Sequence, residues 1–492
     1  MKFQDINKMK ALSLSFFLLP FFLIFSRFLA DFYISSLGLL CIFFIFKKYM
    51  KIPKNIFIYF LFIFYFYLLF SSLFSFDIQV SFFKSLPYFR LIFFSIFLSF
   101  IIHKDKKIIH IIILSFLYSH TALFFDSLFQ LTFSYNIFGN EIINSRISSF
   151  FSDELILGAY ISKSFPILLS LIYLNKKNYS DNLVYYFIAI SAVMIFLSAE
   201  RLATITYLVF LVLFFFIHLP LKKFLLSFSI IVVTLSIFAF NGKNNPKVNR
   251  LVFHTIDQLK SSSSYIYPSH RHELHSGTAI KMFYDRKYLG QGLNSFRYLC
   301  GISKFIPESK INQMGNVKLK KFAPADGILI KKENKIFIMS LFFGPTKTWK
   351  NPISVGHEIK EINLENPSLI IFSPFNKFVE KGSLIAGYRV YKNGCNTHPH
   401  NLHLQFLAEI GSIGYAFLFV FFIYIFFLIL KLLFQHCYYK KNINQSLLFS
   451  AFGLFIFLFP LLPSGSFFNN WMSIIFYFNF SIFLHSKLYR KI

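Results

Sequence analysis

The chain has 492 residues, 56% of them hydrophobic and 75 of them Phe, with 50 Lys and Arg against 21 Asp and Glu for a formal net charge of +29. Apolar residues in such quantity, in long uninterrupted runs, exclude a water-soluble protein of two or three domains, because only a bilayer supplies apolar solvent to that much helix exterior. The excess positive charge then reads as anchoring against anionic lipid and not as a nucleic-acid footprint.

The first residues carry Lys2, Lys8 and Lys10 ahead of an apolar run. No small-x-small cleavage site with a polar mature start follows it, so a cleaved signal peptide is not expected. Apolar spans are predicted at 11–29, 32–46, 56–76, 86–102, 108–130, 156–174, 184–199, 203–220, 224–240, 410–433, 447–463 and 470–486. The expected fold class is an all-α polytopic membrane protein of about 12 transmembrane helices, with a large loop carrying a small β-rich insert. Residues 1–240 hold helices one to nine, 241–403 the loop with the insert at 315–391, and 404–492 the last three helices.

Charge orients this arrangement. Lysine clusters fall in alternate loops, at Lys47-Lys48, Lys104 to Lys107, Lys176-Lys177, Lys222-Lys223 and Lys440-Lys441. The intervening short loops hold only Lys84, Arg146 and Arg201. The positive-inside rule puts both termini in the cytoplasm and the large loop on the opposite side.

The loop has two parts. Residues 248–300 are polar, with periodicity suited to short helices. Residues 315–391 alternate strand-like runs such as Ile328-Leu329-Ile330 and Ile336-Phe337-Ile338 with Gly, Pro and Asn turns. Ala323-Pro324-Ala325-Asp326-Gly327 has the turn chemistry of a prosthetic-group carrier, but no Lys sits at the tip, so a packing or contact role is preferred. Of the four Cys, Cys300 and Cys395 both fall in the loop and no zinc spacing occurs. A disulfide between Cys300 and Cys395 is expected in an oxidising compartment.

Chemistry-bearing residues concentrate at the loop side. His398-Pro399-His400-Asn401 precedes an apolar helix containing Gly411-Ser412-Ile413-Gly414. Pro399 turns His398 away from helix, Asn401 suits the N-cap of a helix starting at Leu402, and the two glycines permit close approach of another helix. A lone His at a helix start is more often structural than catalytic. Arg201, in Ser198-Ala199-Glu200-Arg201, has snorkelling or a pair with Glu200 as its ordinary reading. For Arg271 the ordinary reading is an exposed loop cation, and for Arg146 an interfacial anchor. Together they suit a lipid-linked diphosphate, since guanidinium binds phosphate oxygens in a fork and a neutral His accepts a hydroxyl proton. No Asp-x-Asp occurs, so no metal site is expected, and Asp126 is the one acidic candidate inside a predicted span.

These anchors resemble the O-antigen ligase and O-antigen polymerase family of bacterial inner membranes. The resemblance rests on Arg146 with Ser148-Ser149-Phe150-Phe151 and Gly158-Ala159-Tyr160, on Ser198-Ala199-Glu200-Arg201, on Arg271 through Gly290-Gln291-Gly292, and on His398-Pro399-His400-Asn401 with Gly411 and Gly414. It implies a metal-independent, cofactor-free glycosyltransferase. The enzyme would take a glycan from undecaprenyl diphosphate on the periplasmic face, in lipopolysaccharide or surface polysaccharide biosynthesis. Ligases pass the glycan to lipid A–core, and polymerases join repeat units. By matching position His400 resembles the catalytic base, and Arg201 and Arg271, with Arg146, the diphosphate-binding arginines. Asn401, His398, Gly411 and Gly414 would support them. The implied partners are the lipid-linked donor, a glycolipid or glycan acceptor and membrane lipid. The stretch 315–391 departs from typical ligases and leaves the acceptor open. The ligase reading is preferred, with polymerase as the alternative. A non-enzymatic transporter of lipid-linked glycan, or a receptor using the insert as a binding module, remain as readings of another class.

Overall fold

The computed structural model describes residues 12, 14–220, 222, 246–261, 270–300, 303–305 and 396–489, with five strand segments between 327 and 386. The chain is a multi-pass membrane protein. Among the described residues, 7 helices are long and apolar enough to cross a bilayer: Arg27–Phe46, Ile78–Lys104, Lys107–Phe133, Leu157–Leu174, Asp181–Ser198, Arg201–His218 and Leu402–Cys437.

The expectation of about 12 transmembrane helices is therefore corrected. Phe16–Phe25, Ile56–Ser72 and Gln445–Leu458 are apolar but shorter than a full span. The first predicted span is broken at Ser26, whose extended backbone ends one helix while its Oγ accepts from Leu29 N at 3.2 Å to cap the next. Predicted span 224–240 lies outside the described residues. Asn470–Leu488 is long enough but less apolar than the seven, and the reason is packing. Neighbouring helices cover it almost completely, so it meets protein where a lipid-facing helix meets hydrocarbon. It can carry polar groups because they find partners: Asn479 Nδ2 donates to Ser450 O at 3.1 Å, His485 Nδ1 to Ser99 O at 3.1 Å, and Trp471 Nε1 to Leu23 O at 3.0 Å. By contrast Phe28, Phe32 and Phe46 on the Arg27 helix are exposed, as a lipid-facing surface requires.

Local chemistry sets the other helix starts. Asn55, Asp77, Asn401, Asn444 and Asn469 each precede a helix, and each side chain accepts from a first-turn backbone N–H.

In the segment predicted as an insert, five strands form one antiparallel sheet: β1 (Gly327–Lys332), β2 (Lys335–Leu341), β3 (Ser354–Ile359), β4 (Phe372–Lys377) and β5 (Ser383–Ala386). Their order is β4-β3-β2-β1-β5. Gly327 pairs with Ser340 and Lys332 with Lys335, so β1 and β2 form a hairpin joined by two residues.

The helix Leu402–Cys437 is broken at Gly411, where φ is +67° and ψ −173°, a conformation essentially reserved for glycine. The break lets the Gly290-Gln291-Gly292 turn pair with it along the backbone. Gln291 N donates to Ala408 O at 2.9 Å, Gly292 N to Glu409 O at 2.8 Å, and Ser412 N to Lys287 O at 2.7 Å. A Cβ on Gly290 would stand 2.5 Å from the Glu409 carbonyl. The close approach expected at Gly411 is thus made by a turn and not by a second helix. At Gly414 the space is filled by Ile410 of its own helix.

Candidate functional site

Two clusters form around the predicted residues. The first is built on the Ser198-Ala199-Glu200-Arg201 turn. Ala199 adopts a left-handed conformation that ends one helix, and Arg201 begins the next. Gly158 lies directly against this turn. A Cβ there would meet Ser198 Oγ and, at 3.1 Å, Glu200 Cβ. The close approach lets the Glu200 carboxylate accept from Gly158 N at 2.9 Å and Ala159 N at 3.1 Å, capping the helix Leu157–Leu174 from another part of the chain.

Glu200 pairs with Arg146 at 3.3 Å, and not with its sequence neighbour Arg201. Arg146 also donates from Nε to Ser198 O at 3.1 Å and from Nη2 to Leu155 O at 2.6 Å, so it ties the turn to the loop before the Leu157 helix. Burial pushes Glu200 above the usual carboxylate range and Arg146 below its own, and the attraction between the two opposes both shifts. Arg201 Nε donates to Arg250 O at 3.1 Å. The guanidiniums of Arg146, Arg201 and Arg250 lie close enough to repel one another, and Arg250 Nε is buried with no hydrogen-bond partner among the described residues.

The second cluster surrounds His400, which sits at φ +55°, a left-handed position that His tolerates better than most residues. Its carbonyl accepts from Ser464 N at 2.9 Å. Asn396 Oδ1 accepts from Thr397 N at 2.7 Å, which fixes the amide so that Nδ2 donates to His400 Nε2 at 2.8 Å. The lone pair of neutral His400 therefore sits on Nε2. Three further imidazoles gather on it, with ring centroids 4.3 Å away for His398, 5.0 Å for His275 and 5.9 Å for His272. His272 and His275 share one face of the helix His270–Asp285. Arg271 belongs to the same helix, and its side chain lies outside the described residues. No group of His, Cys, Asp or Glu among the described residues is arranged to hold a metal ion.

His398 is a structural member of this cluster. Its Nε2 donates to Ser464 O at 3.1 Å and its Nδ1 accepts from Thr397 Oγ1 at 2.9 Å. Burial pushes it down to about 4, against the Ser464 carbonyl and with help from Arg297. The folded protein thus holds His398 neutral while the unfolded chain protonates near pH 6.5. Its contribution is complete above pH 6.5 and is lost as pH falls toward 4. Melting in detergent should therefore show a drop in Tm between pH 7 and 5 that shrinks in His398→Gln. An equal drop in both proteins would remove His398 as its source.

Asn401 caps the following helix through Leu404 N at 3.0 Å and anchors it through Pro460 O at 2.7 Å. Cys300 is disulfide-bonded, Cys41 and Cys437 are free, and Cys395 lies outside the described residues. The Cys300 Sγ lies 3.9 Å from the carbonyl of Asn396, the residue that holds His400.

A cavity lies beside both turns. Lys163, Leu202, Thr206, Ser464, Phe476 and Asn479 are among the residues that line it. Ser464 holds His398 and His400, and Leu202 follows Arg201.

Sequence reasoning missed four contributors. Arg250, His272 and His275 lie in polar stretches without a distinguishing motif. Glu409, fully buried inside the span Leu402–Cys437, was not recognised beside Asp126 as an acid in the membrane. Its Oε2 accepts from Gln405 Nε2 at 3.0 Å and its Oε1 from Phe296 N at 3.4 Å. Gln405 four residues earlier was the available signal. Asp126 is likewise bound, accepting from Ile137 N at 3.0 Å and Ser149 Oγ at 2.6 Å. The chain matches no family model and no curated protein sequence.

Proposed function

We propose that the protein is a metal-independent glycosyltransferase of the O-antigen ligase kind, working on a polyprenyl-diphosphate-linked glycan at the periplasmic face of a bacterial inner membrane. The observation that carries this reading is the gathering of Arg146, Arg201 and Arg250, together with a cavity lined both by Leu202, which follows Arg201, and by Ser464, whose backbone holds His400. Like charges held together in a partly buried place favour a multiply charged anion, and a diphosphate is one.

In this mechanism the acceptor hydroxyl loses its proton to His400 Nε2 as its oxygen bonds to the anomeric carbon. The bond from that carbon to the diphosphate oxygen breaks, and the diphosphate leaves with the electron pair. Guanidinium charge stabilises it as it departs. Asn396 must yield its hydrogen bond for Nε2 to act, so it holds the base in the right tautomer until substrate arrives. Arg201, Arg250 and Arg271 contact the diphosphate, while Arg146 positions the turn through Glu200. Polymerase activity within the same chemistry is the alternative, decided by the acceptor.

Glu409, an acid beside a broken helix, is the feature that favours a transporter. Its carboxylate is already bound by Gln405 and the Phe296 backbone, which argues against a substrate or proton role.

Arg201→Lys keeps the charge and loses the fork, so use of the lipid-linked donor should fall at least tenfold in kcat/KM. The assay is transfer by purified protein at varied donor concentration. Full donor use by Arg201→Lys and Arg201→Ala alike would remove the arginine cluster from the mechanism.

A further inference from the structure

The cavity that Leu202 and Ser464 line also holds a lysine that neither the sequence reading nor the mechanism uses. Lys163 lies six residues into Leu157–Leu174, about 9 Å along the helix from its start. Thr206, five residues after Arg201 on the neighbouring helix, lines the same cavity at similar depth. A lysine inside a membrane span is costly, and such residues are retained where they face a partner or a polar cavity. Lys163 makes no hydrogen bond or ion pair with a described residue, although it lies in the field of Glu200. Two other lining residues also have unused capacity: Ser464 Oγ and Asn479 Oδ1 are buried with no hydrogen-bond partner among the described residues. Buried polar atoms are ordinarily satisfied, so these two, with the Lys163 ammonium on the same cavity, mark a place for a polar occupant.

We propose that Lys163 and Ser464 form a phosphate-binding subsite, which takes one phosphate group of a polyprenyl diphosphate while the arginine cluster takes the other. The proposal rests on the transferase reading above. An ammonium and a hydroxyl both donate to phosphate oxygens. The Ser464 backbone already holds His398 and His400, so a phosphate on its hydroxyl is fixed close to the base. Asn479 Oδ1 is an acceptor, so it serves a Lys163 N–H or a water molecule and not the phosphate. The subsite distinguishes a diphosphate from a monophosphate, because a monophosphate fills the arginine cluster alone.

The test uses the full-length protein in detergent with farnesyl diphosphate, farnesyl monophosphate and farnesol as probes, read as Kd and as Tm shift. The wild type should bind the diphosphate most tightly. Lys163→Met should weaken diphosphate binding about tenfold or more while leaving monophosphate binding unchanged, and Lys163→Arg should restore much of the loss. Ser464→Ala, a smaller change, should act in the same direction and serves if Lys163→Met fails to fold. Tight diphosphate binding by both Lys163→Met and Ser464→Ala shows a cavity filled by water alone, and overturns the subsite while sparing the transferase reading. No preference of the wild type for either phosphate over farnesol overturns the transferase reading, and the subsite with it.

Discussion

Glycan transfer by His400→Ala should fall about 10²–10⁴-fold, the usual loss when a general base is removed, with the protein still folded and inserted. The lone pair of His400 Nε2 is held toward Asn396 by an amide whose orientation Thr397 N–H fixes. Alanine leaves nothing at that point to take the acceptor proton. The backbone at this position has φ +55°, which alanine tolerates less well than histidine, so His400→Asn is the better control for folding. Asparagine suits the left-handed region and has no basic nitrogen, and it should lose activity to the same extent. The measurement is transfer by purified protein with lipid-linked donor, with and without chelator. Activity at the full rate in both variants, or activity in the wild type that chelator abolishes, would falsify the assignment.

Glu200→Ala should cost up to about 3–5 kcal/mol of stability, the range for removing one partner of a fully buried ion pair, since only 14% of each side chain is exposed. The carboxylate has two jobs that no other described group duplicates. It satisfies the first N–H groups of the Leu157 helix, and it neutralises Arg146 where the guanidinium is also bound to Ser198 and Leu155. Without it the repulsion of Arg146 by Arg201 and Arg250 loses the attraction that offsets it. Glu200→Gln retains an acceptor for the helix and should lose less. Arg146→Ala combined with Glu200→Ala should be milder than the sum of the two single changes, because each removes the other's penalty. Melting in detergent reads all of these, and an unchanged Tm for Glu200→Ala would show that the cap and the pair carry no weight.

Multi-pass membrane character, approximate helix positions and local caps were legible because each depends on short stretches of chain. Long apolar runs demand lipid or a covered interior wherever they fall, and the Asn401 cap needs only the residues beside it. The count of crossing helices was not legible, because hydropathy registers apolar residues without regard to what covers them. Asn470–Leu488 is shielded by its neighbours and tolerates Asn479 and His485, whereas Arg27–Phe46 turns Phe28 and Phe32 outward. Ser26 breaks the first predicted run because a serine hydroxyl competes for backbone N–H groups within an otherwise apolar stretch.

By itself, then, the sequence determined a polytopic membrane protein with His400, Arg201 and Arg146 at helix ends and loops, since hydrophobic run length and cap chemistry act over a few residues. Only the tertiary structure decided their partners. Glu200 pairs with Arg146 fifty-four residues away and not with adjacent Arg201, because the left-handed Ala199 and the absent side chain of Gly158 bring the turn onto another helix. Arg250 joins the first cluster, His272 and His275 join the second, and Lys163 reaches the cavity, each through packing between distant stretches of the chain. Contacts of that range depend on how the helices close around one another, and no local pattern of residues encodes them.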